Sequence, residues 1–259
     1  MKFLGDYHTH TIYSRKPFMP YHHAKGTIEE NIASAKEKGL KEIAISDHGF
    51  NQRCFGCCRK DLQKTKSEIL RLAQKYDMKV YFGVEANFIS VDGTIDVAES
   101  DFEYLDIVLC GFHRAIKTKS IKDYFKFLCA NMFSKFFGTS QKLREQNTKM
   151  ILNALEKYNI AVLTHLNSKM KCNIEPIAIK AAEKGTLIEL NEKHCDFTPE
   201  EIKIMLNTKV NFIVNSDAHK PERIGNFEKV KKLIKENNIP EDRIVNLNKL
   251  PKFIKPKEK

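Results

Sequence analysis

Short apolar runs alternate with longer amphipathic ones along the whole chain. The short runs predict strands over residues 3–6, 42–46, 79–84, 106–109, 161–164, 187–190 and 212–215. Between them, helical spacing predicts helices over 28–38, 61–76, 141–157, 175–184, 199–207 and 228–237. In the second helix Ile69, Leu72, Ala73 and Tyr76 share one side, while Gly39 and Gly185 punctuate two helix ends. Strands alternating with helices imply parallel β/α units. An open doubly wound sheet and a closed barrel both fit that count.

The polar residues decide between the two. His8 and His10 follow the first predicted strand, His48 the second, Glu85 the third, His113 the fourth and His165 the fifth, and Asp217 with His219 follow the seventh. The sixth strand is followed by Asn191 and lacks such a residue. An open sheet gathers only the strand ends at its switch point. A barrel gathers all of them on one face. Any one of these histidines alone reads best as a loop cap or a hydrogen-bonded core residue. Their recurrence at strand end after strand end favours a ring of metal ligands at a barrel mouth. In His8-Thr9-His10 the two imidazoles lie on one side of an extended chain and can reach one ion. Mixed imidazole and carboxylate donors suit Zn, Mn or Fe. The set is too large for one ion, so two or three divalent transition-metal ions are expected. Clusters of this kind clamp phosphoryl oxygens and lower the pKa of bound water.

The ordered set Asp6-x-His8-x-His10-Thr11, Asp47-His48, Gly83-Val84-Glu85, Gly111-Phe112-His113, Thr164-His165 and Ser216-Asp217-Ala218-His219 resembles the PHP (polymerase and histidinol phosphatase) family. The resemblance is nearest to its stand-alone trinuclear phosphatase branch, and extends to Gly225-Asn226-Phe227. It implies a distorted seven-stranded (β/α)7 barrel and nine metal ligands. His8, His10, Glu85 and Asp217 would hold a first ion. Glu85 would bridge to a second held by His113 and His165. His23, His48 and His219 would hold a third. The branch carries its ninth ligand shortly after the His-x-His pair, but Arg15 follows Ser14 here. His23, in His22-His23-Ala24-Lys25-Gly26-Thr27, is assigned to that role after a short insertion at about 15–22, with His22 as the adjacent alternative. His194 is treated as an ordinary polar residue. Glu85, Asp217 and His219 would carry catalysis, in which a metal-bridging hydroxide attacks phosphorus in line. Asp6 and Asp47 would orient neighbouring groups, or Asp47 would only cap a turn.

Around this ring, Arg114 beside His113 is a candidate phosphate contact; Lys220 and Arg223 are weaker ones. Residues 114–148 form a long insertion in which Phe125, Leu128, Met132 and Phe136 fall on one helical face. At a barrel mouth this reads as a lid, ahead of a dimer contact and an interfacial helix. Cys54-x-x-Cys57-Cys58 has no second pair at zinc spacing and reads as a plain loop. The chain reads as one domain over 1–259 with these insertions.

Composition narrows the rest. Hydrophobic content of 42% and charged content of 30% describe a folded globular chain, and no apolar run is long enough to span a bilayer. Residues 1–7 carry no signal-like apolar stretch, and seven cysteines do not make a disulfide framework, so a cytoplasmic location is expected. The formal charge of +11 points to acidic partners. A small phosphorylated metabolite such as histidinol phosphate is the leading substrate, with nuclease action on nucleic acid second, because no long basic stripe with interleaved aromatics is present. An oligomer is compatible with the sequence.

Overall fold

The computed structural model describes residues 1–257. Seven parallel strands run side by side in chain order: β1 (Gly5–Thr9), β2 (Glu42–Ile45), β3 (Lys79–Asn87), β4 (Ile107–Gly111), β5 (Val162–Leu163), β6 (Leu187–Asn191) and β7 (Phe212–Asn215). β1 and β7 meet at the bridge Thr9↔Ala218, where His10 N donates to Ala218 O at 2.9 Å. The sheet thereby nearly closes into the expected barrel.

The helices are α1 (Ile28–Glu37), α2 (Leu62–Tyr76), α3 (Ile121–Asp123), α4 (Ala130–Phe137), α5 (Gln141–Lys157), α6 (Ile174–Lys184), α7 (Pro199–Leu206) and α8 (Glu228–Glu236). Their starts follow from local chemistry. Thr27 and Glu30 form a capping box on α1, Thr198 and Glu201 form one on α7, and Ser140 caps α5. Apolar faces such as Ile28, Ile32 and Ala35 of α1 and Ile177, Ala178 and Ala181 of α6 are fully buried in the main core.

A second, smaller core fills the lower barrel with Tyr7, Ala44, Ile107, Leu109, Val162, Leu187 and Ile213. Strand alternation then dictates what lies above it. Leu187 is followed on the same face by Glu189 and Asn191, and Ile213 by Asn215 and Asp217. The barrel interior thus changes from apolar to polar toward its C-terminal mouth. A bulge in β1 between Asp6 and Thr9 lets Tyr7 join the apolar floor while His8 reaches the polar layer.

Three strands depart from the sequence expectation: β1 is shifted to Gly5–Thr9, so that His8 lies within it, and β3 and β5 differ for reasons at the site. β3 continues to Asn87, so Glu85 lies within the sheet, where His165 Nε2 and Thr164 Oγ1 meet its Oε1 and its Oε2 points into the barrel mouth. β5 shrinks to two residues because the chain turns out at His165, whose φ is +32°. The long insertion also differs. α3 runs through a π-helical stretch, Tyr124–Cys129, into α4. The wider π turns break the 3.6-residue period on which the single apolar face was drawn. Leu128 is buried, but Phe125, Met132 and Phe136 are exposed. Asp123 accepts from Ser90 Oγ and Val91 N, both at 2.9 Å, and Asn131 exchanges hydrogen bonds with Asn147 of α5. These anchors hold the insertion along α5. None of its helical residues lines the cleft beside Asp217 and His219, so the structure does not form the expected lid there.

Candidate metal centre

Glu85 is the hub of the barrel mouth. Its Oε2 lies 2.9 Å from His48 Nδ1, 3.2 Å from His8 Nε2, 3.3 Å from His113 Nε2 and 3.6 Å from His10 Nε2. Its Oε1 lies 2.8 Å from His165 Nε2 and accepts from Thr164 Oγ1 at 3.0 Å. Asp217 Oδ1 is 3.4 Å from His10 Nε2 and 3.3 Å from His219 Nδ1. Three groups of donor atoms converge closely enough to share an ion: His8, His10 and Asp217; His48, Glu85 and His113; His10, His48 and His219. No cysteine belongs to such a group among the described residues, and Cys54, Cys57 and Cys58 are free thiols in a loop.

His23 comes to the rim of the third group. Its ring stacks on Phe55 with centroids 4.1 Å apart and meets the His219 ring edge-on at 4.5 Å. His22 turns away and is exposed, its ring nitrogens meeting Arg15 and the Ile12 carbonyl. Of the two adjacent histidines, only His23 faces the mouth.

The donor set fits divalent metal on a direct observation. His8 Nε2, His10 Nε2, both ring nitrogens of His48 and Glu85 Oε2 are buried with no hydrogen-bond partner. These are five of the seven such side-chain atoms among the described residues. Each would cost about 1–3 kcal/mol if left unsatisfied. Lone pairs converging in a dry pocket are what a cation requires. The electrostatics agree. Burial, with neighbouring His48 and His219, holds His10 well below the usual histidine range. Burial also pushes His113 and His219 down to about 3 and His23 to about 4, leaving neutral imidazoles. Burial opposes charge on Glu85 and Asp217, yet nearby imidazoles outweigh it and hold both carboxyls well below their ordinary values. His8 lies among three carboxylates, Glu85, Glu189 and Asp217, which overcome its burial and hold it protonated when no ion competes.

Second partners fix the rings. His113 Nδ1 meets Asn87 Oδ1 at 2.7 Å. His8 Nδ1 meets Glu189 Oε1 at 2.7 Å; a carboxylate can only accept, so Nδ1 carries the proton and Nε2 presents its lone pair to the cluster. Glu189 also accepts from His165 N, Asn191 Nδ2 and Asn215 Nδ2. His165 and Asp217 both have positive φ, +32° and +51°, conformations that cost non-glycine residues free energy and cluster at functional sites. The Glu189 bond to His165 N helps hold one. Asp6 stabilises the segment carrying the other by accepting from Ser216 N at 3.1 Å and Gly225 N at 3.0 Å. Asp47 accepts from Thr11 N, Thr11 Oγ1 and Ser14 Oγ. It organises the loop after β1; its side chain reaches the ring through Ser14, whose Oγ is 3.5 Å from His10 Nδ1, and its carbonyl accepts from Glu85 N at 2.9 Å.

Sequence reasoning missed the sixth strand's contribution. Glu189 was hidden inside an apolar run, although a charged residue in Leu-Ile-Glu-Leu-Asn was the available signal. His194, past the end of β6, puts Nε2 3.8 Å from Asp217 Oδ2. Its neighbour Lys193 places Nζ 3.2 Å from His219 Nδ1 and 3.6 Å from Asp217 Oδ1. Lys169, whose charge burial disfavours, feels Glu85, Asp217, Lys193 and Arg114. Arg114 itself is exposed beside His113. Lys193, Lys220, Arg223 and Lys229 share a cleft of about 330 Å³ with Asp217 and His219.

The family model described as the PHP domain matches residues 6–239. The chain belongs to the PHP domain family. A probable phosphatase of Clostridium acetobutylicum is 30% identical over 277 residues, an alignment covering 100% of this chain and 97% of that protein. Among solved structures, the histidinol phosphate phosphatase of Lactococcus lactis, in complex with zinc, L-histidinol and phosphate, aligns with a TM-score of 0.51 at 15% identity. The alignment covers 98% of both chains. A Listeria monocytogenes protein named as a candidate histidinol phosphatase aligns with a TM-score of 0.56 at 15% identity, covering 87% of this chain and 99% of that one. At that identity the structural likeness bears on the fold, and the barrel of this PHP chain agrees with it.

Proposed function

We propose that this hydrolase removes phosphate from small phosphate monoesters, using two or three divalent ions held by His8, His10, His23, His48, Glu85, His113, His165, Asp217 and His219. The observation that carries the reading is the set of buried, partnerless donor atoms of His8, His10, His48 and Glu85 aimed into one space. When bound, Zn, Mn or Fe ions there supply Lewis acidity and a water of lowered pKa. Glu85 and Asp217 bring negative charge between the candidate sites. His219, its pKa lowered by burial, brings a neutral imidazole.

The chain's own cations would bind and orient the substrate. Lys193 borders Asp217 and His219 directly, and Lys220, Arg223 and Lys229 line the same cleft. Lys169 also feels Glu85 and Asp217, and Arg114 stands exposed beside His113. A phosphoryl group seated in this cleft meets positive charge, which stabilises developing charge on its oxygens. The cleft volume suits a small metabolite.

The test is turnover by metal-loaded protein on p-nitrophenyl phosphate, histidinol phosphate, nucleoside monophosphates and single-stranded oligonucleotides. Phosphate released from monoesters, and lost in His10→Ala and Asp217→Ala, supports the proposal. Cleavage of oligonucleotides alone transfers the assignment to a nuclease.

A further inference from the structure

The helical insertion 121–137 leaves a surface that the proposed chemistry does not use. Seven of the fourteen exposed large apolar side chains among the described residues lie in it. Ile121, Phe136 and Phe137 are 79%, 76% and 86% exposed, and Phe125 and Phe133 are exposed as well. Aromatic side chains left in water on this scale mark an interaction surface. The buried side of the insertion is already occupied: Phe127 packs on Phe112, and Asp123 and Asn131 are hydrogen-bonded inward. The exposed side therefore faces away from the body of the protein.

Charge says what covers it. Residues 114–144 hold eight Lys and Arg against a single acid, Asp123. That acid is buried and bound to Ser90, Val91 and Ser120, so it offers nothing to a partner. Lys122, Lys126 and Lys135 stand exposed among the aromatics. Lys119 is paired with Asp92, but Lys122, Lys126 and Lys135 have no ion pair among the described residues, and a second copy docking through the same face would bring two such sets together with no exposed acid of that face to pair them. An anionic bilayer satisfies both halves of the surface. Its headgroups take the lysines and its interfacial zone takes the phenylalanines. No helix among the described residues is long and apolar enough to cross a membrane, so the fitting geometry is a helix lying on the surface.

We infer that residues 121–137 dock this protein onto anionic phospholipid surfaces through the exposed phenylalanines and the lysines interleaved with them. The docking is independent of metal and of turnover. In flotation with the full chain, phosphatidylcholine vesicles containing phosphatidylglycerol should carry the protein up, and pure phosphatidylcholine vesicles should not. The double variant Phe136→Ser/Phe137→Ser changes only exposed side chains. It should keep the wild-type melting temperature and lose binding at least about tenfold. Lys126→Glu/Lys135→Glu should lose it similarly. Because the chain has no tryptophan, Phe136→Trp provides a single reporter, whose emission should shift to the blue on anionic vesicles. Equal binding to both vesicle types would overturn the inference. So would undiminished binding by the serine variant, which would assign the effect to general positive charge. A dimer in lipid-free solution that the serine variant dissolves would make the face a self-interface instead.

Discussion

Glu189→Gln is the change that asks most of the metal centre while replacing no proposed ligand. The wild-type carboxylate is fully buried and receives four donors. Oε1 takes His8 Nδ1 and Asn215 Nδ2, at 2.7 and 3.0 Å. Oε2 takes His165 N and Asn191 Nδ2, at 2.9 and 2.7 Å. A glutamine of the same shape keeps one acceptor oxygen and turns an NH2 toward the other pair. If the NH2 faces His165, a backbone N–H that cannot adapt loses its partner. If it faces His8, the imidazole can accept only by moving its proton to Nε2, which removes the lone pair offered to an ion. Either way at least one buried donor is stranded, at a cost of about 1–3 kcal/mol. Loss of an orienting partner behind a ligating histidine should weaken metal binding about 10- to 100-fold. The assay is competition for Zn²⁺ against a chromophoric chelator, alongside thermal melting in excess chelator. The first reads ligand orientation and the second reads the stranded donor. A Glu189→Gln protein with wild-type metal affinity would refute this role for the sixth strand.

Other consequences follow from the same geometry. Gly111→Ala should deplete metal and activity together, because the new Cβ would run into Thr164 Oγ1 and sit 2.6 Å from the His165 ring; metal analysis of the purified variant checks it. Asp47→Ala strands Thr11 N, Thr11 Oγ1 and Ser14 Oγ, and should destabilise the fold by about 3 kcal/mol in urea unfolding. Lys193→Ala should raise KM for a phosphate monoester about tenfold with metal content unchanged, if it meets substrate oxygens. Metal-free protein should lose stability in acid. His113 stays neutral in the fold down to about pH 3, whereas its unfolded form protonates below 6.5; the unfolded state therefore binds more protons in that window, and His113 alone costs about 2 kcal/mol by pH 5. His8, raised by its carboxylates, gains its stabilisation as pH falls from that raised value to 6.5 and changes nothing further below, so it does not offset the losses at His10, His113 and His219. Melting curves at pH 7 and pH 5 in chelator measure the sum.

Much of the fold was legible because each strand needed an apolar inner face lower down and a polar one at the mouth. That requirement stamps a pattern such as Phe-Ile-Val-Asn-Ser-Asp on the chain, and the pattern located β7 and Asp217 together. His23 was reached only by family resemblance across an insertion, and its placement beside His48 and His219 depends on Phe55, which no spacing rule connects to it. Glu189 was illegible as a functional residue because its run reads as buried strand; its partners His8 and His165 are distant in sequence. The lid reading finds no support in the cleft beside Asp217 and His219, which no helical residue of the insertion lines. The single apolar face drawn for that insertion assumed a regular helical period through Tyr124–Cys129, where the backbone is π-helical.

The central claim is that one multinuclear ion cluster at the barrel mouth hydrolyses phosphate monoesters. It is tested most directly by titrating Zn²⁺ or Mn²⁺ into chelated protein while measuring both bound metal and phosphate release. Turnover should appear only as two or three ions per chain are taken up, and Glu85→Gln should abolish uptake and turnover together. Full metal occupancy with no release from any phosphate ester, or turnover that persists in the chelated protein, would contradict it.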